Sequence, residues 1–369
     1  MDSNLPQKPY FVYFGTYTMK VGHVDGKAEG IYVYRMDPDS GALESVTKIS
    51  GVVNPSFLAI HPNNSYLYAV NELRTYAGQP GGAVSAFAIN PQTGGLKFLN
   101  KQYSNGADPC HVCLDATGKY VLVSNYSSGS LAVYPVKPDG RLGDVSDIVQ
   151  HHGKSIDPQR QEGPHAHSVT IDPTNRYAFV ADLGMDKVMS YRLDLVHGRL
   201  VHNAIAWVPV KGGAGPRHIE FHPNGRFAYL INELDATIIA YAYESGPGTL
   251  RELQTVPTLP QDYSGFNGCA DIHLTPAGKF LYGSNRGHDS LVIFAVDEYS
   301  GALTFVGHEP TQGKNPRNFA IDPSGTFLLV ANQDSSNIVT YKIDPQTGEL
   351  QATGQITQVP TPVCIKFLK

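Results

Sequence analysis

Residues 216–232 read PRHIEFHPNGRFAYLIN, and this pattern recurs with the same internal spacing along the whole chain. In this copy a turn residue, an aromatic residue and a small polar residue follow the first position by seven, eleven and sixteen: Pro223, Phe227 and Asn232. Copies 46 to 57 residues apart begin at Pro55, Pro109, Ala166, Pro216, Cys269, Pro316 and Pro362. A fixed period of about 50 residues indicates one supersecondary unit that is used many times.

Each repeat continues with a third and a fourth strand. The third strand carries a central aromatic residue: Tyr34, Phe87, Tyr134, Tyr191, Tyr241, Phe294 or Tyr341. A turn such as DPDSG or NPQTG follows, and then a leucine: Leu43, Leu96, Leu142, Leu200, Leu250, Leu303 or Leu350. Four short antiparallel strands per unit, repeated about a ring, are typical of propeller blades. The sequence therefore predicts an all-β fold, a seven-bladed β-propeller with four-stranded antiparallel blades.

The two ends of the chain complement each other. Residues 11–16 have the pattern of a second strand, with Phe11 and Thr16 in the aromatic and polar positions. Residues 363–368, in the last copy, have the pattern of a first strand. Pairing of these two segments would close the ring and remove an open sheet edge. We therefore expect a single domain over residues 1–369, with residues 1–9 as an N-terminal extension.

The composition narrows the classes of function. Of 369 residues, 41% are hydrophobic and 17% are charged, which is enough apolar material for a large core and too little charge for a disordered chain. The net charge of −5 argues against a nucleic-acid partner, because neutralising phosphates needs a basic surface. No apolar run long enough to cross a membrane and no signal-peptide layout is seen. These features predict a cytoplasmic protein without a membrane partner, as a monomer or a small homo-oligomer.

The spacing of potential ligands does not favour a metal site. Cys110 and Cys113 form a C-x-x-C pattern, but residues three apart on a strand point to opposite faces and cannot share one metal. His165 and His167 are two apart and would share a face, yet spacing indicates no third ligand. The sequence therefore predicts neither a metal nor an organic cofactor.

One rim of the predicted ring carries all the long irregular segments. The tight turns of every repeat fall on the opposite rim, whereas residues 17–30, 73–82, 150–164 and 258–268 lie in connections that share one side. Long loops gathered on one face of a rigid scaffold are where binding sites are normally built. We therefore expect the functional site at this loop-bearing rim.

The repeats differ from one another at three positions, which lie one, two and seventeen residues after the first residue of each copy. We call them positions one, two and seventeen, and all three lie at this rim. An asymmetric ligand site has to break the symmetry of the ring, so these positions supply the candidates: His167, Arg217, Arg317, His111, Asp271, Glu72, Glu233 and Arg286. Several cations around one carboxylate favour a small anionic ligand and a general acid or base. Each of these residues, taken singly, also has a purely structural interpretation. His111 could simply form a hydrogen bond with neighbouring backbone, and Glu72 and Asp271 could be ion-pair partners of nearby arginines.

At these residues the chain resembles a known family. The strings QEGPHAHSVTIDP, GPRHIEFHPNGRFAYLINEL, ADIHLTPAGKFLYGSNR and NPRNFAIDPSGTFLLVANQ are similar to those of the propeller-type lactonases. That family includes cycloisomerase-2-like 6-phosphogluconolactonases and fungal 3-carboxy-cis,cis-muconate lactonizing enzymes. The resemblance implies a seven-bladed propeller and the catalytic residues His167, Arg217, Arg286 and Glu233. His165, Arg160 and Arg317 match motif positions and join His111, Asp271 and Glu72 as substrate-binding candidates.

The reaction expected from this resemblance is hydrolysis of a sugar lactone, with 6-phosphogluconolactone as the first candidate. His167 or Glu233 would act as the base, Arg217 would face the carbonyl oxygen, and Arg286 and Arg317 would hold the phosphate. Two alternatives stay open. The first is ring closure of a carboxymuconate-type polycarboxylate, in which the same arginines bind carboxylates. The second is a non-enzymatic propeller scaffold, which the charged rim and the single tryptophan, Trp207, do not favour.

Overall fold

The repeated unit folds into four antiparallel strands, as its spacing predicts. The computed structural model describes residues 9–22 and 24–368. The first fifteen strands are β1 (Tyr10–Thr16), β2 (Lys20–Val21), β3 (Val24–Asp25), β4 (Gly30–Met36), β5 (Leu43–Ser50), β6 (Leu58–Ile60), β7 (Tyr66–Asn71), β8 (Thr75–Tyr76), β9 (Gln79–Pro80), β10 (Ala83–Ile89), β11 (Leu96–Tyr103), β12 (Pro109–Leu114), β13 (Tyr120–Asn125), β14 (Ser130–Pro135) and β15 (Asp147–Gln150). The remaining strands are β16 (Ala166–Ile171), β17 (Tyr177–Asp182), β18 (Lys187–Asp194), β19 (Arg199–Pro209), β20 (Pro216–Phe221), β21 (Phe227–Asn232), β22 (Thr237–Glu244), β23 (Thr249–Pro257), β24 (Gly268–Leu274), β25 (Phe280–Arg286), β26 (Ser290–Val296), β27 (Leu303–Pro310), β28 (Pro316–Ile321), β29 (Phe327–Asn332), β30 (Asn337–Ile343), β31 (Leu350–Gln358) and β32 (Pro362–Leu368).

These strands form seven four-stranded blades. Blade 1 contains β32, β1, β4 and β5, blade 2 contains β6, β7, β10 and β11, and blades 3 to 7 take β12–β15, β16–β19, β20–β23, β24–β27 and β28–β31. Each first strand contacts the first strand of the next blade, from β6 through β12, β16, β20, β24 and β28 to β32 and back to β6. The ring is therefore closed, and the predicted seven-bladed propeller is confirmed.

The two ends of the chain close the ring as predicted. β32 pairs antiparallel with β1, with Phe11 opposite Leu368 and Thr16 opposite Pro362. The predicted N-terminal extension, residues 1–9, lies outside the described residues except for Pro9. The assignment of all 369 residues to one domain accordingly stays a prediction for that segment.

The positions that repeat in every blade hold neighbouring blades together. Buried second-strand tyrosines donate hydrogen bonds to turn carbonyls of the next blade: Tyr13 to Gly94, Tyr68 to Gly140, Tyr229 to Gly301 and Tyr282 to Gly348, at 2.8 to 3.1 Å. The asparagine amides that end second strands bond the backbone of the incoming linker, as Asn285 Nδ2 does with Thr258 O at 2.9 Å. Apolar side chains from adjacent blades fill the space between the sheets. These positions are alike because every blade junction needs them.

The structure differs from the sequence prediction in two details. The segments 17–30 and 73–82, expected to be irregular, contain the short hairpins β2–β3 and β8–β9. On the opposite rim, in blade 3, the repeated leucine, Leu142, precedes the fourth strand and only bridges to Val136. Within residues 9–22 and 24–368 there is no helix long and apolar enough to cross a membrane.

Candidate active site

Bulges at the start of the innermost strands place the candidate side chains. In β16, β20 and β28 the pairing with the second strand slips between the first and third residues of the strand. The unpaired residues at these slips are His167, Arg217 and Arg317. A bulge leaves one residue out of the ladder and re-aims its side chain, a device that is common beside active sites. The side chains at positions one and two of these repeats can therefore both point into the central channel.

Glu233 is the centre of a cluster of cations at the mouth of the channel. It directly follows β21, and its Oε2 accepts a hydrogen bond from Arg217 Nε at 3.0 Å and forms an ion pair with Arg286 Nη2, also at 3.0 Å. Its Oε1 accepts one from Arg160 Nη2 at 2.6 Å. His167 Nε2 lies 4.0 Å from Oε2. We name these five residues, Glu233, Arg160, Arg217, Arg286 and His167, the mouth cluster.

The charges of the mouth cluster fix the protonation state of its members. Burial alone raises the pKa of Glu233, but the charges of Arg286, Arg217 and Arg160 outweigh this effect and hold the pKa well below its usual value. Burial lowers the pKa of His167 well below its usual value, and Arg217 adds to the shift. Burial also lowers the pKa of Arg217 to about 10. At neutral pH Glu233 is thus a carboxylate, His167 a neutral imidazole and Arg217 a cation.

His167 borders a small cavity in the channel mouth. Its side chain is 6% exposed, and Nδ1 has no hydrogen-bond partner among the described residues. The cavity measures about 10 Å³ and is lined by polar and apolar residues: Ser56, Phe57, Glu72, Cys110, His167, Arg217, His218, Arg317 and Val363. A space of this size holds about one water molecule. A water or a substrate oxygen in it would meet several hydrogen-bonding groups at once.

Glu72 and Arg317 face the same cavity and are linked through Tyr17. Glu72 Oε2 accepts a hydrogen bond of 2.5 Å from Ser56 Oγ, and Tyr17 bonds the same carboxyl group. Arg317 Nη2 donates to Tyr17 Oη at 3.3 Å. Burial raises the pKa of Glu72 while the charge of Arg317 opposes the rise. The two carboxyl groups at the mouth, Glu72 and Glu233, are therefore shifted in opposite directions, an arrangement that separates proton donor from proton acceptor.

Two predicted substrate-binding residues, His111 and Asp271, lie deeper in the channel. Asp271 is 2% exposed and accepts hydrogen bonds from His218 Nδ1 at 2.7 Å, from His273 Nε2 at 3.1 Å and from Asn318 Nδ2. The ring of His111 packs on Phe57 at 4.3 Å between centroids and on His218 at 5.5 Å. The structure thus places these two residues in a belt around the channel wall, where Asp271 bonds side chains of the protein and His111 Nδ1 faces the backbone N–H of Val169 at 3.5 Å.

Two other candidates, Arg160 and His165, border a larger pocket on the rim. This pocket of about 420 Å³ is lined by Arg74, Ala107, Tyr126, Ser127, Gln159, Arg160, Glu162 and His165. The ring of His165 stacks on Tyr126 at 4.6 Å, and its Nδ1 bonds Tyr126 O at 3.1 Å. Arg160 belongs both to this pocket and to the mouth cluster, since its Nη2 also lies 3.3 Å from Tyr126 Oη. Arg160 therefore links this pocket to Glu233.

Tyr17, Tyr126 and Arg74 take part in the site but are absent from the sequence-based candidates. Tyr17 follows Thr16, so it occupies position seventeen of blade 1, the same position that supplies Glu72 and Glu233 in other blades. The repeat spacing could have found it. Tyr126 holds this position in blade 3, whereas Arg74 lies in a loop outside the repeated strands, where no spacing points to it.

The described residues do not form a metal site. In residues 9–22 and 24–368 no three His, Cys, Asp or Glu side chains are grouped so as to hold a metal ion. Of the two histidines considered for zinc, His165 bonds a backbone carbonyl through Nδ1, and His167 is turned towards Glu233. The candidate chemistry of the mouth is therefore that of arginines, a carboxylate and an imidazole.

The chain matches one family model over nearly its full length. Residues 11–367 match the model described as "Lactonase, 7-bladed beta-propeller". The match spans all seven blades, so it covers every residue of the mouth cluster.

Similar proteins with names were found by sequence and by structure. The chain is 39% identical to a 6-phosphogluconolactonase of Bacillus subtilis over 97% of this chain and 98% of that protein. It is 41% identical to a 6-phosphogluconolactonase of Formosa agariphila over 79% of this chain and 82% of that one. A solved structure, the periplasmic gluconolactonase of Pseudomonas aeruginosa, superposes with a TM-score of 0.89 at 36% identity, covering 98% and 99% of the two chains.

Proposed function

The chain belongs to the lactonase family of seven-bladed β-propellers, and from this premise we propose that it hydrolyses 6-phosphogluconolactone to 6-phosphogluconate. One structural observation carries the proposal. A buried carboxylate, Glu233, lies within hydrogen-bond reach of Arg217 and Arg286 and 4.0 Å from a neutral histidine. Ester hydrolysis needs a base for water and fixed positive charge for the developing oxyanion, and this cluster supplies both.

The attacking water is assigned to the gap between His167 and Glu233. Their Nε2 and Oε2 atoms are 4.0 Å apart, too far for a direct hydrogen bond. One water oxygen can contact both residues at about 2.8 Å across such a gap. Its oxygen bonds to the lactone carbonyl carbon while its proton passes to Glu233. The proton then goes to the ring oxygen as the bond between that oxygen and the carbonyl carbon breaks.

Arg217 is assigned to the carbonyl oxygen. Its side chain is 2% exposed and is fixed by Glu233 Oε2, by Ala270 O and by His218 Nε2 at 3.3 Å. A cation that is already oriented before the reaction stabilises an oxyanion without reorganising. Arg286 and Arg317 are the residues that the sequence predicts to hold the phosphate. Arg286 bonds Gly268 O at 2.9 Å and Cys269 O at 3.0 Å, and Arg317 bonds Tyr17, so both guanidinium groups support the site from within the protein.

The direct test supplies 6-phosphogluconolactone to the pure protein at mildly acidic pH, where its spontaneous opening is slow. Acid formation is expected to rise in proportion to protein concentration above a protein-free blank. The variant Arg217→Ala is expected to lose at least tenfold in kcat/KM, about 1.4 kcal/mol, because its oxyanion contact is gone. Arg217→Lys keeps the charge without the guanidinium geometry and is expected to fall between the two.

Folded wild-type protein that gives no rate above the blank contradicts the proposal. Loss of diene absorbance from a carboxymuconate in the same assay would instead support the ring-closing alternative. A folded protein that is inactive in both assays would favour the interpretation as a non-enzymatic scaffold. The lactonase names of the relatives place both alternatives below hydrolysis.

Gluconolactone without a phosphate is the second candidate substrate. The observation that favours it is the similarity to the periplasmic gluconolactonase of Pseudomonas aeruginosa at 36% identity. The two candidates differ only in the phosphate group, so the parts of the rim that meet this group decide between them.

A cytoplasmic location is part of the proposal. A phosphate monoester carries a charge of about −1.5 to −2 at pH 7, and such a charged sugar stays in the compartment where it is made. The prediction of a monomer or a small homo-oligomer, without a nucleic-acid or membrane partner, goes with it.

A further inference from the structure

The rim pocket of about 420 Å³ offers two positive charges to solvent. Arg74 is 81% exposed and pairs with Asp108 Oδ2 at 3.1 Å, and Arg160 is 40% exposed. Ser127 donates to the same Asp108 oxygen at 2.5 Å. One carboxylate also lines the pocket, Glu162, which is 59% exposed and faces His165 Nε2 at 3.3 Å. Guanidinium groups suit phosphate oxygens because their N–H groups match phosphate in a planar fork.

Arg160 is held least firmly of the three arginines around Glu233. Arg217 and Arg286 are 2% and 14% exposed, and both also donate to backbone carbonyls. The side chain of Arg160 donates to Glu233 Oε1 and to Tyr126 Oη, and it extends from a loop between β15 and β16. A long side chain in water retains rotamer freedom that a buried one has lost. Arg160 can therefore leave Glu233 for a ligand with fewer contacts broken than Arg217 or Arg286.

In the free protein Glu233 is poorly prepared to accept a proton. An ionised carboxylate offers about four acceptor positions. Here Arg217 and Arg160 each donate to one of the two oxygens, Oε2 and Oε1, and Arg286 forms an ion pair with Oε2. The three cations also hold the pKa of Glu233 far below neutral, whereas an efficient base has a pKa near the working pH. Removing Arg160 would free Oε1 and lower the positive charge around the carboxylate.

We propose that the rim pocket binds the phosphate group of the substrate and that this dianion draws Arg160 away from Oε1 of Glu233, which switches the base on. The inference rests on the proposed function and adds to it a subsite and a route by which the phosphate controls the chemistry. With Arg160 on the phosphate, Glu233 takes the proton of the attacking water and returns it to the ring oxygen, and no other reactant is needed. Arg160 is thus both a phosphate ligand and a positioning residue for Glu233.

The experiment separates the phosphate from the lactone. Gluconolactone is hydrolysed by the wild-type protein with increasing sodium phosphite as a free dianion, at constant ionic strength set with chloride, and protein-free blanks are subtracted at each concentration. Phosphite is expected to raise the rate at least fivefold with saturation. The same phosphite is expected to inhibit hydrolysis of 6-phosphogluconolactone competitively, because both compete for one pocket. Opposite signs on the two lactones are the signature of the switch.

The variant Arg160→Gln tests the residue itself. It removes the phosphate ligand and also the cation on Oε1, so gluconolactone hydrolysis should no longer respond to phosphite. The ratio of kcat/KM for the phosphorylated lactone to that for gluconolactone should fall at least tenfold. Arg251→Gln is the matched control, since Arg251 is an exposed arginine on the outermost strand β23 and is expected to leave both quantities unchanged. Thermal unfolding of each variant shows that it is folded.

The outcomes for the switch and for the proposed function are distinct. Failure of the wild-type protein to hydrolyse 6-phosphogluconolactone overturns the proposed function and the switch with it. Hydrolysis of that lactone, together with phosphite that inhibits or leaves unchanged the gluconolactone rate, overturns the switch alone. The switch alone is also overturned if Arg160→Gln keeps the wild-type ratio of kcat/KM for the phosphorylated lactone to kcat/KM for gluconolactone.

Discussion

Replacing Glu233 with glutamine is expected to lower kcat for 6-phosphogluconolactone by about a hundredfold or more, the range that a positioned base contributes. Glutamine has the shape of glutamate but cannot take a proton from water. The side chain of Glu233 is 8% exposed and lies among three arginines, so bulk water cannot easily replace the lost base. KM is expected to change less than kcat, because the proton transfer occurs only in the transition state.

Two comparisons make this expectation specific. Glu252→Gln, on the exposed face of β23, removes the same charge far from the mouth and is expected to keep wild-type kinetics. Glu233→Asp keeps the charge at a shorter reach and is expected to retain more activity than the glutamine variant. A folded Glu233→Gln protein with kcat within threefold of the wild type would show that another group, with His167 first among them, takes the proton.

The fold could be predicted from the sequence because each blade junction makes the same physical demand. Tyr68 and Tyr229 occur at the same position of their repeats since each has to reach a turn carbonyl of the next blade. Asn285 and Asn332 recur because each linker leaves a carbonyl that needs a buried donor. Repetition of this kind reveals the number of blades and the closure of the ring without any coordinates.

The candidate site could be predicted only in part. Departures from the repeat show which residues differ between blades, but not the direction in which their side chains point. His167, Arg217 and Glu233 were found in this way, and the structure brings them together. His111 and Asp271 were found by the same rule, yet they face the channel belt because the bulge turns positions one and two differently. The orientation of these side chains depends on how two strands pair, and the spacing of residues along the sequence does not reveal the pairing. Arg74 lies in a loop with no repeat, so only the folded chain places it beside Arg160.

The largest effect on stability is expected from Asp271, which joins three blades across the channel. Its carboxylate accepts from His218 of blade 5, His273 of its own blade 6 and Asn318 of blade 7. Asp271→Ala leaves the buried His218 and Asn318 and the partly exposed His273 without their partner, and breaking a buried pair in this way costs about 3–5 kcal/mol of the free energy of unfolding. Chemical denaturation at pH 7 measures the loss. Asp39→Asn, at an exposed turn, is the control that is expected to unfold like the wild type.

The pH dependence of stability tests the same contact without relying on a cavity-forming substitution. Although burial opposes protonation, the charge of Asp271, aided by Glu220 at 3.6 Å, raises the pKa of His273 to about 10. Above about pH 6.5 the folded protein therefore holds a proton that the unfolded chain releases. The stabilisation is complete below that pH and is lost as the pH rises towards 10. Asp271→Asn, which keeps the size of the side chain, should make this alkaline decline shallower, and a decline as steep as in the wild type would mean that Asp271 does not hold the charge on His273.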